Sequence, residues 1–339
     1  MKWILASALI LTFVASVPAT AKSGTADEME IHNKQLHLKI YAPDPQNGFY
    51  KGVRFDWSGV IADLEFAGHH LYRPWFTSVD ASVPDFIYSD SGIVAGTNSA
   101  MTGPVEEFQK PVGYEDAAAG GTFLKVGVGL LRKIDDSPYH FTRQFPLVDG
   151  GKWSVHKSSK SVTFEQVLGG PNADYGYVYT KTIRLVGDSP TFVIEHHLKN
   201  TGKLPIITTV YDHNFLTIDG TDVGKAYSIS VPYDIQPKPA PNPNFVSIDG
   251  KKASYIADLQ GKDRAAFGLQ GFSTDTKDYD FTIANRTASV AVRIKGDRPL
   301  VNAEVWSIRT VLAVEPFIDI HVAPGEDYDW SYTYTYSTL

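Results

Sequence analysis

The sequence predicts an all-β protein built as a large antiparallel β-sandwich. Short runs of β-branched and aromatic residues recur along most of the chain, and Gly, Pro, Asn or Asp separate them. Almost no segment shows the 3.6-residue period of an amphipathic helix. Many short strands without helices are typical of a sandwich, and no shift in composition marks a boundary between two domains.

The first 21 residues have the pattern of a secretory signal peptide. A lysine precedes the apolar run Ile4 to Val17, which ends at a proline and is followed by Ala19-Thr20-Ala21. The run is short for a transmembrane helix, which disfavours an uncleaved anchor, and the small residues are typical of a cleavage site. We therefore expect cleavage near Ala21, a periplasmic or secreted protein, and a single sandwich domain over residues 22–339.

Composition narrows the classes of partner. The chain has no cysteine, a formal net charge of −7, and 18 Tyr, 18 Phe and 6 Trp residues. Without disulfides the fold must be stabilised by its core alone, and a mild, scattered negative charge disfavours nucleic acid and anionic membrane as partners. Aromatic residues of β proteins fill cores and also line sugar-sized clefts. For most of these residues the core role is the better interpretation, and composition indicates no oligomeric state.

The first dense cluster of polar and aromatic residues is Arg54-Phe55-Asp56-Trp57. An arginine and a carboxylate can bind sugar hydroxyls, and a tryptophan can stack on a pyranose face. If the segment is a strand, alternation places Arg54 and Asp56 on one face and Phe55 and Trp57 on the other. A binding site and a plain core strand are equally consistent with this pattern.

Two further segments supply candidate substrate-binding cations. Lys125 interrupts the apolar run Phe123 to Gly127, where a charge is costly unless it has a partner or a purpose. The segment Tyr139-His140-Phe141-Thr142-Arg143 places a histidine and an arginine near the start of a strand. We therefore include Lys125, His140 and Arg143 among the candidate substrate-binding residues.

Two segments rich in glycine or proline are predicted to be long functional loops. One is Thr97 to Gly121, which also contains a pair of adjacent acids. The other is Pro232 to Asn244, where prolines at alternate positions favour an extended conformation.

The strands predicted after residue 160 share β-branched or alternating sequences. They are Val162–Leu168, Tyr175–Leu185, Thr191–Leu198, Ile206–Asp212, Ala265–Leu269, Tyr279–Ala284, Ser289–Ile294 and Ala303–Val314. Near the C-terminus, aromatic residues stand at every second position from Tyr328 to Tyr336. This alternation predicts a strand with one aromatic face.

Two motifs at β-like runs offer a minimal general acid and general base. In Tyr211-Asp212-His213-Asn214-Phe215, His213 can give and take a proton near neutral pH. The alternative is a structural histidine whose ring is hydrogen-bonded to the backbone at a strand end. Glu315 lies within the apolar run Val311 to Phe317, where burial raises a carboxyl pKa. The alternative to a catalytic role for Glu315 is a structural one, in a buried ion pair with an arginine such as Arg309. The two residues are so far apart in sequence that only folding can bring them together.

These motifs, in this order, resemble those of the galactose mutarotase-like superfamily, which includes aldose 1-epimerases and hexose-6-phosphate 1-epimerases. Leu198 to Gly202 and the His213 motif resemble its Asn-Thr-Gly turn and the strand that carries its catalytic histidine. Val314-Glu315-Pro316, followed by Pro324-Gly325-Glu326, resembles the strand with its catalytic glutamate. Phe141-Thr142-Arg143 is similar to a Phe-Ala-Arg segment whose arginine binds substrate.

The chain also departs from that pattern. His140 is displaced by one position from the family's histidine, and the histidine strand reads His-Asn-Phe. The family's substrate-binding aspartate has only a loose counterpart in Asp258. The segment Tyr50 to Gly59 resembles that of exported, uncharacterised members of the superfamily.

The resemblance implies a galactose mutarotase-like supersandwich, a mono- or oligosaccharide as the ligand, and an aldose 1-epimerase-like activity without metal or organic cofactor. Glu315 would take the proton of the anomeric hydroxyl while His213 gives one to the ring oxygen. Arg143, with Lys125 or Arg54, would hold hydroxyls, Asn214 would contribute beside His213, and an aromatic residue would stack on the ring. Two alternatives stay open: a carbohydrate-binding protein without turnover, and a lyase or other sugar-modifying enzyme on the same fold.

Overall fold

The computed structural model describes residues 28–90, 92–170 and 172–339. The predicted signal peptide lies outside the described residues, so its cleavage stays a prediction. Within those ranges the chain forms β-strands, with only two short 3₁₀ turns at Ile218–Gly220 and Thr276–Asp278. The expected all-β class is confirmed.

The strands of the N-terminal half are mostly short. They are β1 (Glu28–His32), β2 (Leu36–Tyr41), β3 (Val60–Phe66), β4 (His69–His70), β5 (Ser78–Val79), β6 (Phe86–Ser89), β7 (Gly92–Ala95), β8 (Gly103–Phe108), β9 (Thr122–Lys125), β10 (Gly129–Arg132), β11 (Leu147–Asp149) and β12 (Lys152–Lys157).

The strands of the C-terminal half include the longest ones. They are β13 (Ser161–Leu168), β14 (Tyr177–Leu185), β15 (Thr191–Asn200), β16 (Ile206–Phe215), β17 (Tyr227–Ser230), β18 (Val246–Asp249), β19 (Lys252–Tyr255), β20 (Arg264–Gly268), β21 (Asp280–Asn285), β22 (Val290–Gly296), β23 (Asn302–Ile308), β24 (Val311–Val322) and β25 (Asp327–Thr338).

Two large sheets organise the molecule. A ten-stranded sheet has the order β12-β13-β14-β15-β25-β22-β21-β17-β19-β18, and a five-stranded sheet has the order β20-β23-β24-β16-β8. Both are antiparallel throughout. Three smaller sheets flank them, and one of these contains a parallel pair, β5 with β7.

The main core lies between the two large sheets. On β25, Trp330, Tyr332, Tyr334 and Tyr336 are all buried, and Tyr334 reaches the strand β16 of the opposite sheet. The predicted aromatic face is confirmed and points into the core. Each buried ring removes a large apolar surface from water, which contributes roughly 1.5–3 kcal/mol per side chain.

Three local expectations are corrected by the structure. The segment Thr97–Gly121 is not a loop throughout, because residues 103–108 form the buried strand β8. Residues 51–58, which hold the Arg54 cluster, form no strand. The predicted strand Ala303–Val314 is a hairpin of β23 and β24, whose turn at Arg309-Thr310 contains neither Gly nor Pro to mark it. Pro232–Asn244 contains no strand, as expected.

Within the part of the chain that the structure describes, no helix combines the length and the apolar character needed to cross a membrane.

Candidate active site

The register of the five-stranded sheet brings His213 and Glu315 side by side. Strands β16 and β24 pair regularly up to Tyr211 opposite Phe317, and an isolated bridge joins Leu216 to Leu312 farther along. The same register places His213 opposite Glu315. Their side chains meet with Nε2 of the histidine 3.3 Å from Oε1 of the glutamate.

Neighbouring strands extend this row across the sheet. Glu304 on β23 is directly opposite Glu315, and Gly268 on β20 is opposite Glu304. Residues directly opposite each other on paired strands point to the same face of the sheet. Glu304, Glu315 and His213 therefore form one polar row on the face that points away from the core.

Aromatic rings fix the orientation of His213. Its imidazole stacks on Phe215 with centroids 3.7 Å apart, and the edges of Phe55 and Trp306 pack against it at 5.7 and 5.9 Å. Burial, together with the nearby charge of Arg54, holds the pKa of His213 well below its usual range. The ring is therefore neutral at physiological pH.

Glu315 is buried, and among the described residues its side chain pairs with His213 and not with an arginine. Burial raises the pKa of Glu315 to about 8, the charges of Glu304 and Glu107 add to the rise, and Arg54 opposes it. The alternative of an ion pair with Arg309 is not what the structure shows, since the glutamate contacts His213 instead. A neutral histidine beside a protonated glutamate gives the pair one transferable proton near neutral pH.

The pair lies at the floor of a cleft with a volume of about 190 Å³. The cleft combines charged, aromatic and small side chains. Its lining residues are Arg54, Trp75, Asp85, Ser99, Phe141, His213, Phe215, Pro239, Arg264, Ala266, Phe267, Glu304, Val305, Trp306 and Glu315. Ionised, neutral polar and aromatic groups in one small concave site suit a ligand with several hydroxyls and an apolar ring face.

Arg54 is held rigidly at one wall of the cleft. Its Nε donates to the carboxylate of Glu107, and its Nη2 donates to the hydroxyl of Tyr211 at 2.8 Å. The guanidinium also lies over the rings of Phe55 and Phe141, 4.4 and 4.0 Å from their centroids. A side chain immobilised before the ligand arrives loses little further entropy on binding.

Lys125 stands behind Arg54 and does not line the cleft. Its Nζ donates to the carbonyl of Phe108 at 2.7 Å and to the hydroxyl of Tyr139 at 3.1 Å, and it lies 3.5 Å from Oε1 of Glu107. Its charge therefore supports the carboxylate that holds Arg54. The structure gives Lys125 no direct access to a ligand in the cleft.

The segment 139–143 contributes Phe141 to the cleft, but not its two predicted polar residues. Arg143 makes a two-point ion pair with Asp135, with N–O distances of 3.0 and 2.6 Å. His140 is exposed and contacts the hydroxyl of Thr142 at 2.7 Å. Neither lines the cleft, and their predicted substrate contacts stay untested.

Asp56 and Trp57 also lie outside the cleft, because the loop that carries them turns into the protein after Arg54. Asp56 is buried, accepts hydrogen bonds from Tyr179 and Ser58, and lies 3.6 Å from Nζ of Lys181. Trp57 is buried too, and its indole N–H donates to the carbonyl of Gly52. The predicted stacking role of Trp57 has no support in this position.

Asn214 faces the core rather than the cleft. Alternation along β16 puts its side chain on the opposite face from His213, and its amide binds the carbonyls of Asp212 and Val314. The loosely matched Asp258 is also remote, because it accepts the backbone N–H of Lys225 and lines a separate cavity.

Sequence reasoning missed Glu304, Trp306, Arg264 and the carboxylate of Glu107. A signal was present for the first two, since Asn302, Glu304 and Trp306 alternate with small or apolar residues along a predicted strand. Glu107 was hidden because two adjacent acids suggest an exposed loop. On a strand their side chains diverge, so Glu107 meets Arg54 while Glu106 contacts Lys181 and His196 in the core.

Among the described residues, no group of three or more His, Asp or Glu side chains is arranged to hold a metal ion. The expectation of a reaction without metal or organic cofactor stays a prediction.

Comparison with solved structures gives matches along nearly the whole chain. The Slr1438 protein of Synechocystis sp. PCC 6803 aligns with a TM-score of 0.55 at 10% identity, over 95% of this chain and 100% of that chain. A protein of Escherichia coli K12 provisionally named an aldose 1-epimerase aligns with a TM-score of 0.53 at 12% identity, over 93% and 100%. A galactose mutarotase-like protein of Clostridium acetobutylicum aligns with a TM-score of 0.53 at 11% identity, over 94% and 97%.

No protein-family model matches the chain, and no curated protein sequence matches it. At these low identities the structural likeness concerns the fold. The fold is that of the galactose mutarotase-like structures, as the sequence motifs implied.

Proposed function

We propose that this chain is an exported aldose 1-epimerase-like enzyme, which interconverts the anomers of a hexose or a sugar derivative. One observation carries the proposal: His213 and Glu315 lie 3.3 Å apart and both line one small cleft. The names of the structural neighbours, which include a galactose mutarotase-like protein, support a sugar as the ligand.

The separation of the pair suits anomer interconversion. The anomeric hydroxyl oxygen and the ring oxygen are bonded to the same carbon, so the group that takes a proton and the group that gives one must be close neighbours. Glycoside hydrolases need their two carboxyl groups about 5–9.5 Å apart, on either side of the scissile bond. A histidine and a glutamate in contact leave no room for that arrangement.

Ring opening moves one proton at each oxygen. One member of the pair accepts the proton of the anomeric hydroxyl while the other donates a proton to the ring oxygen, and the bond between the ring oxygen and the anomeric carbon breaks. Rotation about the bond beside the carbonyl and closure by the reverse transfers give the other anomer. Each group therefore acts once as acid and once as base, and each transfer contributes roughly 10²–10⁴-fold.

The sequence-based assignment, with Glu315 as the first base, corresponds to the tautomer that carries the proton on His213. The raised pKa of Glu315 and the lowered pKa of His213 favour the proton on Glu315 in the empty cleft. In that form Glu315 is the acid and His213 the base of the opening step, and the two roles reverse when the ring closes.

Three other side chains of the cleft are suited to hold the sugar. Trp306 is half-buried and presents an indole beside His213, on which the apolar face of a pyranose can stack. Arg54 can donate to a sugar oxygen. Glu304 accepts from Asn302 at 2.8 Å through one oxygen and can accept a sugar hydroxyl through the other.

The proposal is tested by following anomer interconversion of freshly dissolved aldoses by polarimetry or NMR. Glu315→Gln removes the transferable proton with little change in shape, and we expect the catalysed rate to fall at least 10²-fold. Glu195→Gln is the matched control, because Glu195 lies on β15 in a surface ion pair with Arg184.

The outcomes separate the three candidate activities. Catalysis by the wild type that is lost in Glu315→Gln and retained in Glu195→Gln supports the epimerase. Saturable sugar binding without any catalysed interconversion, unchanged in Glu315→Gln, would indicate a carbohydrate-binding protein instead. An unsaturated product with ultraviolet absorbance would indicate a lyase. Export is tested by N-terminal sequencing of the protein from the periplasm or medium, which is expected to start near Lys22.

A further inference from the structure

Two polar residues flank His213 on β16 and point in the opposite direction, into the core. Asp212 and Asn214 are both fully buried. The carboxyl group of Asp212 and Oδ1 of Asn214 both contact the hydroxyl of Tyr334 on β25, the latter at 2.7 Å. These side chains tie the strand of His213 to the sheet behind it.

The side chain of Asn214 also spans an interruption in the backbone ladder. The regular pairing of β16 with β24 stops at Tyr211 opposite Phe317, and the next backbone contact is the bridge from Leu216 to Leu312. His213 and Glu315 lie inside this gap, where Pro316 has no N–H to donate.

Across the gap in the pairing, a side-chain amide joins the two strands. Nδ2 of Asn214 donates to the carbonyl of Val314 on β24 at 2.8 Å and to the carbonyl of Asp212 on its own strand at 3.0 Å. Val314 immediately precedes Glu315, so this amide sets the spacing of the two strands at the residues that form the pair.

One hydroxyl hydrogen of Tyr334 cannot serve both Asp212 and Asn214 at once, which favours a protonated Asp212. The amide hydrogens of Asn214 are already used, so its Oδ1 accepts the single hydroxyl hydrogen of Tyr334. The contact of Tyr334 with Asp212 then needs a hydrogen from the carboxyl group. Burial and the neighbouring charge of Glu106, opposite Asp212 on β8, raise the pKa of Asp212 to about 8.

We propose that Asp212, Tyr334 and Asn214 form a positioning relay that holds His213 opposite Glu315 across the gap in the ladder. Hydrogen bonds join the Asp212 carboxyl to Tyr334, Tyr334 to Asn214, and Asn214 to Val314. None of these residues lines the cleft. The relay acts on catalysis through geometry alone, and this role rests on the proposed function.

Tyr334→Phe tests the relay by removing one oxygen atom from the core. Tyr336→Phe is the matched control, since Tyr336 is equally buried, lies on the same face of β25, and bonds Tyr72 at 2.9 Å instead of β16. Misplacing a catalytic pair by about 1 Å can cost 10²-fold. We expect kcat of Tyr334→Phe to fall about 10- to 100-fold with KM unchanged, and Tyr336→Phe to keep both constants.

Substitutions at the other two residues separate positioning from loss of stability. Asp212→Asn keeps a donor toward Tyr334 and is expected to retain kcat, whereas Asn214→Asp loses the donor to Val314 and is expected to lower it. If Tyr334→Phe does not fold, this second comparison decides the proposal. Equal kcat for Asp212→Asn and Asn214→Asp would then overturn it.

The imidazole ¹⁵N signals of His213 give a readout that does not depend on activity. We expect Tyr334→Phe, but not Tyr336→Phe, to change their shifts and pH dependence, because the contact with Glu315 is loosened. Unchanged signals and unchanged kcat would overturn the relay. If the wild type shows no catalysed interconversion while Tyr334→Phe still shifts the signals, the epimerase proposal fails and the positioning role is supported.

Discussion

Arg54 and Glu107 form a buried ion pair at the wall of the cleft, joined through Nε of the arginine and one carboxylate oxygen. The pair is supported on one side by Tyr211 and on the other by Lys125. Its arginine is near enough to lower the pKa of His213 and to oppose the rise in the pKa of Glu315. The wall of the cleft and the acid–base pair are therefore coupled electrostatically.

Arg54 is expected to be the arginine on which activity depends. Arg54→Lys removes the guanidinium group that contacts Glu107 and Tyr211 at the same time. A lysine cannot replace both contacts, so we expect kcat/KM for anomer interconversion to fall about 10- to 100-fold. Arg143→Lys is the comparison, because Arg143 binds Asp135 away from the cleft. Steady-state kinetics of both variants measure the difference. A larger loss in Arg143→Lys would restore the sequence-based assignment.

The pH–rate profile is expected to be bell-shaped. Activity needs one proton on the pair, and it falls above about pH 8 as Glu315 loses that proton. On the acid side it falls only well below the usual pKa of histidine, where His213 becomes charged. The profile of kcat/KM for the wild type measures both limbs. Activity that continues to rise with pH above 8 would contradict the assignment of the shared proton.

The contribution of Asp212 to the free energy of unfolding is expected to decrease as the pH rises from about 4 to about 8. Asp212 holds its proton to about pH 8 in the folded state, whereas an unfolded aspartate ionises near about 3.9. The unfolded state therefore binds fewer protons in that window, and stability falls with pH by an amount on the order of a few kcal/mol.

Asp212→Asn removes this contribution and should reduce the fall of stability with pH, as measured by urea unfolding at several pH values, whereas the contribution of Glu315 stays. Asp188→Asn, at a surface ion pair with Lys34 and Lys160, is the control. An unchanged slope in Asp212→Asn would show that Asp212 is ionised in the folded protein.

Trp306 is expected to form the stacking surface for the sugar ring. Trp306→Ala removes that surface, and we expect KM or the sugar dissociation constant to rise about tenfold. An aromatic contact contributes roughly 0.5–1.5 kcal/mol in addition to the energy of the buried area, and both are lost. Trp153→Ala, on the edge strand β12, is the comparison. Titration of each variant with the substrate measures the effect. An equal change in both variants would indicate a general loss of structure instead of a lost contact.

The order of the motifs around His213 and Glu315 was enough to predict the fold, because it resembles the order in the galactose mutarotase-like superfamily. The turns and strands that carry these motifs depend on local sequence. The alternating aromatic residues of β25 were predicted in the same way. Side-chain direction was harder to predict. Asp56, Trp57 and Asn214 have suitable chemistry for a sugar site, yet all three are buried in the core. Asp56 and Trp57 lie in a loop, where strand alternation does not apply. Asn214 does lie on a strand, but the sequence does not show which face of that strand points to the cleft.

The sequence by itself determined the all-β class, most of the strands after residue 160, a histidine near the end of one predicted strand and a glutamate within an apolar run. Only the tertiary structure decided that these two face each other, since their contact depends on the register of β16 against β24. It also decided that Arg54 and Trp306, not Arg143 and Trp57, line the cleft. The physical reason is that propensity and period are local, whereas a site between strands is set by pairing between residues that are distant in the chain.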